Sequence, residues 1–127
     1  MPPIAVILID HGSRQEQPAS ALDQIAKMAS QRLGLAVDVA HLSVEAPTLE
    51  EAIDRAYARG CRRIIVCPYF LAAGTHTSAD IPALVAASAK RHTGLSIQIA
   101  DPLGPDPLLA ELVARRVGPL LGDAEGV

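Results

Sequence analysis

Four times along this chain a short apolar run gives way to a stretch of helical periodicity, and this alternation constrains the fold more than any other feature. The first run, Ile4-Ala-Val-Ile-Leu-Ile9, is apolar without alternation, as a strand covered on both faces should be. The second spans about Ala36 to Val44, the third is Arg63-Ile-Ile-Val-Cys67 and the fourth is Leu95 to Ala100. Between and after them lie helical stretches. Leu22, Ile25, Ala26, Ala29 and Leu33 form one stripe that Gly34 is placed to end. Thr48-Leu-Glu-Glu51 has capping-box spacing and opens a helix that closes at Gly60. A third helix is expected after Ser78 or Asp80 as N-cap, with Ile81, Leu84, Val85 and Ser88 on one side. A fourth follows Pro105 and carries Leu109, Leu112, Val113, Val117 and Leu120.

Strands alternating with helices imply right-handed crossovers and a parallel sheet. The expectation is a three-layer α/β/α fold whose four-stranded parallel sheet runs in the order 2-1-3-4. With 127 residues the chain has room for one core, so residues 1–127 are read as one domain with a flexible tail from about residue 122. In an open α/β sheet of this order, ligands bind beyond the carboxyl ends of the strands, where the strand order reverses. The loops after strands one and three are therefore where chemistry is expected.

Composition narrows the function classes. Charged residues are 20% of the chain and the net charge is −3, which is not the clustered basic face of a nucleic-acid binder. The apolar runs are far shorter than the roughly 20 residues of a membrane span, and no basic leader precedes the first one. Cys61 and Cys67 flank one expected strand at about 20 Å, beyond disulfide reach. The expectation is a reduced, cytoplasmic protein.

Loop one reads Asp10-His11-Gly12-Ser13-Arg14 and loop three Pro68-Tyr69-Phe70-Leu71-Ala72-Ala73-Gly74-Thr75-His76-Thr77-Ser78. The topology brings one histidine from each loop, His11 and His76, to the same rim. A neutral imidazole suits late first-row divalent ions and accepts protons near neutral pH. His41, inside strand two, reads as a packed and hydrogen-bonded core residue, and His92 as a helix-end residue favoured by the dipole. Glu45 either faces the cleft or is a solvated acid before a helix. Asp10 either orients His11 or, by strand alternation, points away. Arg14 is either a surface residue or the nearest cation to the cleft. Several common chemistries are absent: no arginine precedes His11, no aspartate ends strand three, and there is neither a standard phosphate loop nor a G-x-S-x-G elbow.

The His11-Gly-Ser-Arg14 motif, the Glu45-to-Ala52 run Glu-Ala-Pro-Thr-Leu-Glu-Glu-Ala, the Pro68-Tyr-Phe-Leu-Ala-Ala-Gly-Thr-His76 loop and Asp80-Ile-Pro82 together resemble the small sirohydrochlorin chelatases. The resemblance covers nearly the whole chain. It implies a chelatase-like fold and insertion of a divalent metal (cobalt, alternatively iron or nickel) into a sirohydrochlorin-type tetrapyrrole of cobalamin or sirohaem synthesis. By position it implies that His11 binds the metal and accepts pyrrole protons, and that His76 is the second ligand. It further implies that Leu71, Ala72, Ala73, Gly74, Thr75 and His76 line the substrate, with Glu45 as a further contact; the macrocycle's carboxylates are expected to meet backbone amides and helix N-termini, aided by Arg14. Family members often carry a glutamate four residues before the proline that opens helix two; here Ser43 stands there. Two imidazoles suit an ion that must be surrendered to four ring nitrogens. A loop rich in Gly and Ala lets a flat macrocycle approach. The metal is substrate and no organic cofactor is implied. The resemblance also implies a homodimer, with neither nucleic acid nor membrane as partner. The alternatives are a metal or tetrapyrrole carrier of the same fold that does not turn over, and a plain interaction module.

Overall fold

A computed structural model describes residues 3–12, 21–42, 46–72 and 75–122, and of residues 75–78 the backbone alone. Its elements are β1 (Ile4–Asp10), α1 (Ala21–Leu33), β2 (Val37–His41), α2 (Leu49–Ala58), β3 (Arg63–Pro68), α3 (Thr75–Arg91), β4 (Ser96–Ile99) and α4 (Pro107–Leu121). The strands form one sheet in the order β2-β1-β3-β4, and every pair is parallel. Both the layer pattern and the strand order are those expected from the alternation.

The central strand explains the arrangement. Ala5 through Ile9 are all buried, so β1 needs cover on both faces, which a short apolar run without polar alternation supplies. On one face Ala5, Ile7 and Ile9 join Ile53, Ala56, Ile64, Val66, Phe70, Ile81 and Val85 from β3, α2 and α3 and the loop after β3. On the other, Leu8 packs with Leu22 and Ala26 of α1. Each fully buried isoleucine contributes about 1.5–3 kcal/mol by leaving water.

Local signals set the helix ends. The Thr48 hydroxyl accepts from Glu51 N at 3.2 Å, and Glu51 Oε1 accepts from Thr48 N at 2.8 Å; this is the reciprocal box read from the spacing. Gly34 ends α1 with φ of 69°, a left-handed turn that costs glycine nothing.

Two expectations need correction, and one apolar face read from periodicity proves uncovered. Strand two is shorter than read, ending at His41, because the strand pairs with β1 only as far as Asp10. Helix three starts at Thr75, ahead of both Ser78 and Asp80, and winds through Pro82. A polar residue shortly before proline mimics a helix start, but Ile81, Val85 and Ser88 are buried at helical spacing, and that packing outweighs the proline. Thr75 and His76 therefore lie in the first helical turn, not in a loop. Finally, the apolar stripe of helix four is not buried: α4 contains no buried residue, and Leu112, Val113, Val117 and Leu120 are 42%, 61%, 45% and 85% exposed. Ser13 to Ser20, Ser43, Val44, Glu45, Ala73, Gly74 and the tail beyond Gly122 lie outside the described residues, and so do the side chains of Thr75 and His76.

At the opposite end of the sheet from the expected site, α2 and α3 are tied by a polar cluster. Asp54 Oδ1 accepts from Arg91 Nη2 at 2.9 Å and pairs with His92 Nε2 at 2.7 Å. Tyr57 stacks on His92 at 4.3 Å and carries Arg62 on its ring at 3.7 Å. Partial burial pushes the Asp54 carboxyl up, but its bonds to His92 and Arg91 outweigh this and hold it below the usual range. A lowered folded-state pKa adds stability above the unfolded pKa, and that increment is lost as pH falls through the folded value. Parent and Asp54→Asn, unfolded in urea, should therefore differ at pH 5 and converge as pH drops below about 4. The Asp54 side chain is 50% exposed, so the difference should stay within about 1 kcal/mol.

Candidate functional site

The carboxyl ends of β1 and β3 lie side by side, with Ile9 and Pro68 as the last partners. The pairing continues one step, since Tyr69 N donates to Ile9 O at 2.7 Å. Phe70 then drops into the core at 8% exposure, which leaves Leu71 and Ala72 exposed above it. His11 leaves the end of β1 exposed, its ring lying edge-on to Phe70 at 4.4 Å and 63°. An edge-to-face pair of this kind orients the imidazole beyond what area burial supplies.

Beneath His11, Asp10 turns back toward its own strand. Its Oδ1 accepts from Gly12 N at 2.9 Å and meets His41 Nδ1 at 2.5 Å. Of the two readings open for Asp10, the structure shows it bonded to the backbone just past His11. His41 is buried at 8% exposure and hydrogen-bonded, as read. The loop after β3 is held from the other side as well. Leu103 N, between β4 and α4, donates to Phe70 O at 2.9 Å. The backbone at Gly104 comes so close that a Cβ there would stand 2.3 Å from Leu71 O.

Of the sequence-derived candidates, His11, Leu71 and Ala72 are thus brought to one rim. The backbone of Thr75 and His76 follows at the start of α3, which the chain enters from the same carboxyl edge. Arg14, Glu45, Ala73 and Gly74 lie outside the described residues. Among the described residues, no group of three or more His, Cys, Asp or Glu side chains is placed to hold a metal ion. His92 belongs to the distant Asp54 cluster. Cys61 and Cys67 are free, and burial pushes the Cys67 thiol up, which disfavours the thiolate form that ligates metals. Sequence reading missed Phe70 as the surface under His11, because an aromatic next to apolar loop residues reads as core. It also missed Gly104, whose role depends on a contact distant in sequence.

A doubly wound parallel sheet with an exposed imidazole at its strand-order reversal defines a protein of the open α/β class, in which that rim is the general place for a ligand. Residues 5–120 match the CbiX family model, and the chain belongs to the CbiX family. It is 36% identical over 122 residues to the chloroplastic sirohydrochlorin ferrochelatase of Arabidopsis thaliana, covering 95% of this chain and 54% of that one. To the sirohydrochlorin cobaltochelatase of Methanothermobacter thermautotrophicus it is 34% identical, covering 91% of this chain and 92% of that one. It therefore spans about half the length of the plant relative and nearly all of the archaeal one. Among solved structures, a putative cobalamin biosynthesis CbiX protein from Marinobacter aquaeolei VT8 superposes with TM-score 0.82 at 28% identity, covering 97% of this chain and 98% of that one. SirB from Bacillus subtilis with Fe3+ has the same fold, with TM-score 0.82 at 22% identity, covering 98% of this chain and 48% of that one.

The Gly104 contact makes a direct prediction. Gly104→Ala must push apart two backbones, not a flexible side chain, and should cost about 1–3 kcal/mol. Because Leu71 moves with it, the variant's affinity for whatever binds the rim should fall more than its stability would suggest. Urea unfolding and ligand titration on the same preparation check both.

Proposed function

We propose that this chain is a sirohydrochlorin metal chelatase, inserting divalent cobalt, or alternatively iron or nickel, into the macrocycle. The observation that carries this is the family match over residues 5–120 together with relatives at 34% and 36% identity that bear chelatase names. In the reaction one M2+ replaces two pyrrole N–H protons, so two protons leave for every ion inserted. The exposed position of His11 at the rim, against Phe70, supports its assignment to this step. We assign His11 the incoming ion and, once that ion has passed to the ring and freed the imidazole nitrogen, one of the two departing protons; the second leaves to solvent, and His76 is the second ligand of the incoming ion. Leu71 to His76 are assigned as the segment that contacts the flat ring. Glu45 and Arg14 contribute the carboxylate and cation contacts. The metal enters as substrate, and the reaction requires no organic cofactor. A carrier that binds once and stops is the competing reading, favoured by Ser43 in place of a glutamate.

We further propose that residues 1–127 act as one unit and pair with a second copy. The apolar face of α4 is open and lines a groove of about 450 Å³ that continues onto Leu103, Tyr69 and Leu71. We take a second copy as the occupant of that apolar face, which adjoins the site's own loop. No helix among the described residues is long and apolar enough to cross a membrane. The two free cysteines support a reducing, cytoplasmic location.

Two experiments test these proposals. Initial insertion rates with sirohydrochlorin and each metal should fall about 100-fold or more in His11→Ala. His76→Ala should also lose most of the rate, and the double variant little more. Near-parental rates in His11→Ala would overturn the assignment, and one ion bound without turnover would favour the carrier. By sedimentation the parent should be a dimer at tens of micromolar, whereas Val113→Glu should be a folded monomer, since a charge buried at the paired face is costly. A monomeric parent would end the dimer proposal.

A further inference from the structure

The two strands that meet at the site's floor each end in a polar side chain on the same face. Asp10 and His41 are register partners in the β1–β2 ladder, and alternation places both beyond Leu8 and Val39, on the side covered by α1. At a position where an apolar residue would continue the pattern, His41 buries an imidazole at 8% exposure. A polar ring buried there is costly unless bonded, and its Nδ1 lies 2.5 Å from Asp10 Oδ1.

That same oxygen accepts the Gly12 amide at 2.9 Å. Gly12 has φ of 87°, so the backbone at His11 turns through a left-handed residue and is closed by the Asp10 carboxylate. An aspartate side chain alone can rotate away from such a turn. Here the ring at its back fixes it, and His41 is itself fixed, its N donating to Pro47 O at 2.9 Å while Leu42 N donates to Asp10 O at 2.8 Å. An unbroken path therefore runs from a buried ring in β2, through one carboxylate oxygen, to the peptide that flanks His11. Phe70 meets the His11 ring from the β3 side.

We propose that His41 is a positioning residue: through Asp10 it locks the turn that aims His11 at the incoming ion. The proposal rests on the reading of His11 as the group at the metal. His41 touches neither ion nor macrocycle; it removes freedom from the loop, and losses of this kind appear in the rate of the chemical step more than in binding.

The test compares His41→Phe, which fills the space without a donor, with His41→Asn, whose Nδ2 can take the place of Nδ1. His41→Leu substitutes if the phenylalanine variant does not fold. For each, kcat and KM for cobalt insertion are measured beside thermal melting, the NMR signal and hydrogen exchange of the Gly12 amide, and the His11 ring signals. His41→Phe should melt near the parent and keep KM within about threefold. Its kcat should fall about tenfold or more, with the Gly12 amide losing its protection. His41→Asn should restore most of both. A parental kcat and Gly12 amide in His41→Phe would overturn the proposal, as would His41→Asn as impaired as His41→Phe, which would make the ring a packing element only. If the parent inserts no metal, the chelatase reading falls by itself. The Gly12 amide and the spread of His11 ring signals then decide, without turnover, whether His41 holds the turn.

Discussion

Everything at the rim depends on β1 being the inner strand of a parallel ladder with both faces covered. Its hydrogen bonds run to β2 on one side and β3 on the other, and its register fixes Asp10 opposite His41 and Ile9 opposite Pro68. A slip of one residue would turn Ile7 and Ile9 out of the larger core and carry Asp10 into it. The cost of burying an unpaired carboxylate among aliphatic side chains forbids that alternative. The hydrophobic pattern of seven residues thus determines where the first polar side chains emerge at the rim.

From that fixed floor the rim is assembled by contacts between segments distant in sequence. The loop after β3 is bonded to β1 through Tyr69 N and to the β4–α4 connection through Phe70 O. It has little backbone freedom on either side before Leu71 emerges. His11 is similarly held, by a carboxylate bond at Gly12 and by the edge of Phe70. The described part of the rim, His11, Leu71 and Ala72, is therefore held in place by the fold itself. The open face of α4 adjoins the same loop, so the covering of that helix and the shape of the rim are mechanically connected.

The strand order, the capping box at Thr48 and the end of α1 at Gly34 were legible because each depends on local pattern. The switch-point argument likewise places His11 at the rim from the strand order alone. What escaped was non-local. Helix three begins earlier than its polar-then-proline signature suggests, because packing of Ile81, Val85 and Ser88 overrides a proline. The apolar stripe of helix four was visible, but periodicity states only that a face wants cover, not what supplies it. Asp10 could be left facing either way from alternation alone; its partner sits 31 positions along the chain. Gly104 carried no readable sign of its contact, since close approach between two backbones leaves no side chain in the sequence to announce it.

Phe70 belongs at once to the core cluster with Ile64, Ile81 and Val85 and to the surface on which His11 rests. Core volume and imidazole orientation are therefore one variable. A substitution at Ile81 or Val85, in the same cluster, is therefore expected to reach the His11 ring through Phe70. The usual separation between residues that may drift under selection for folding and residues held by chemistry does not apply along this column. Compensating changes there should arise in pairs, and a catalogue of tolerated core variants would trace the aim of the histidine.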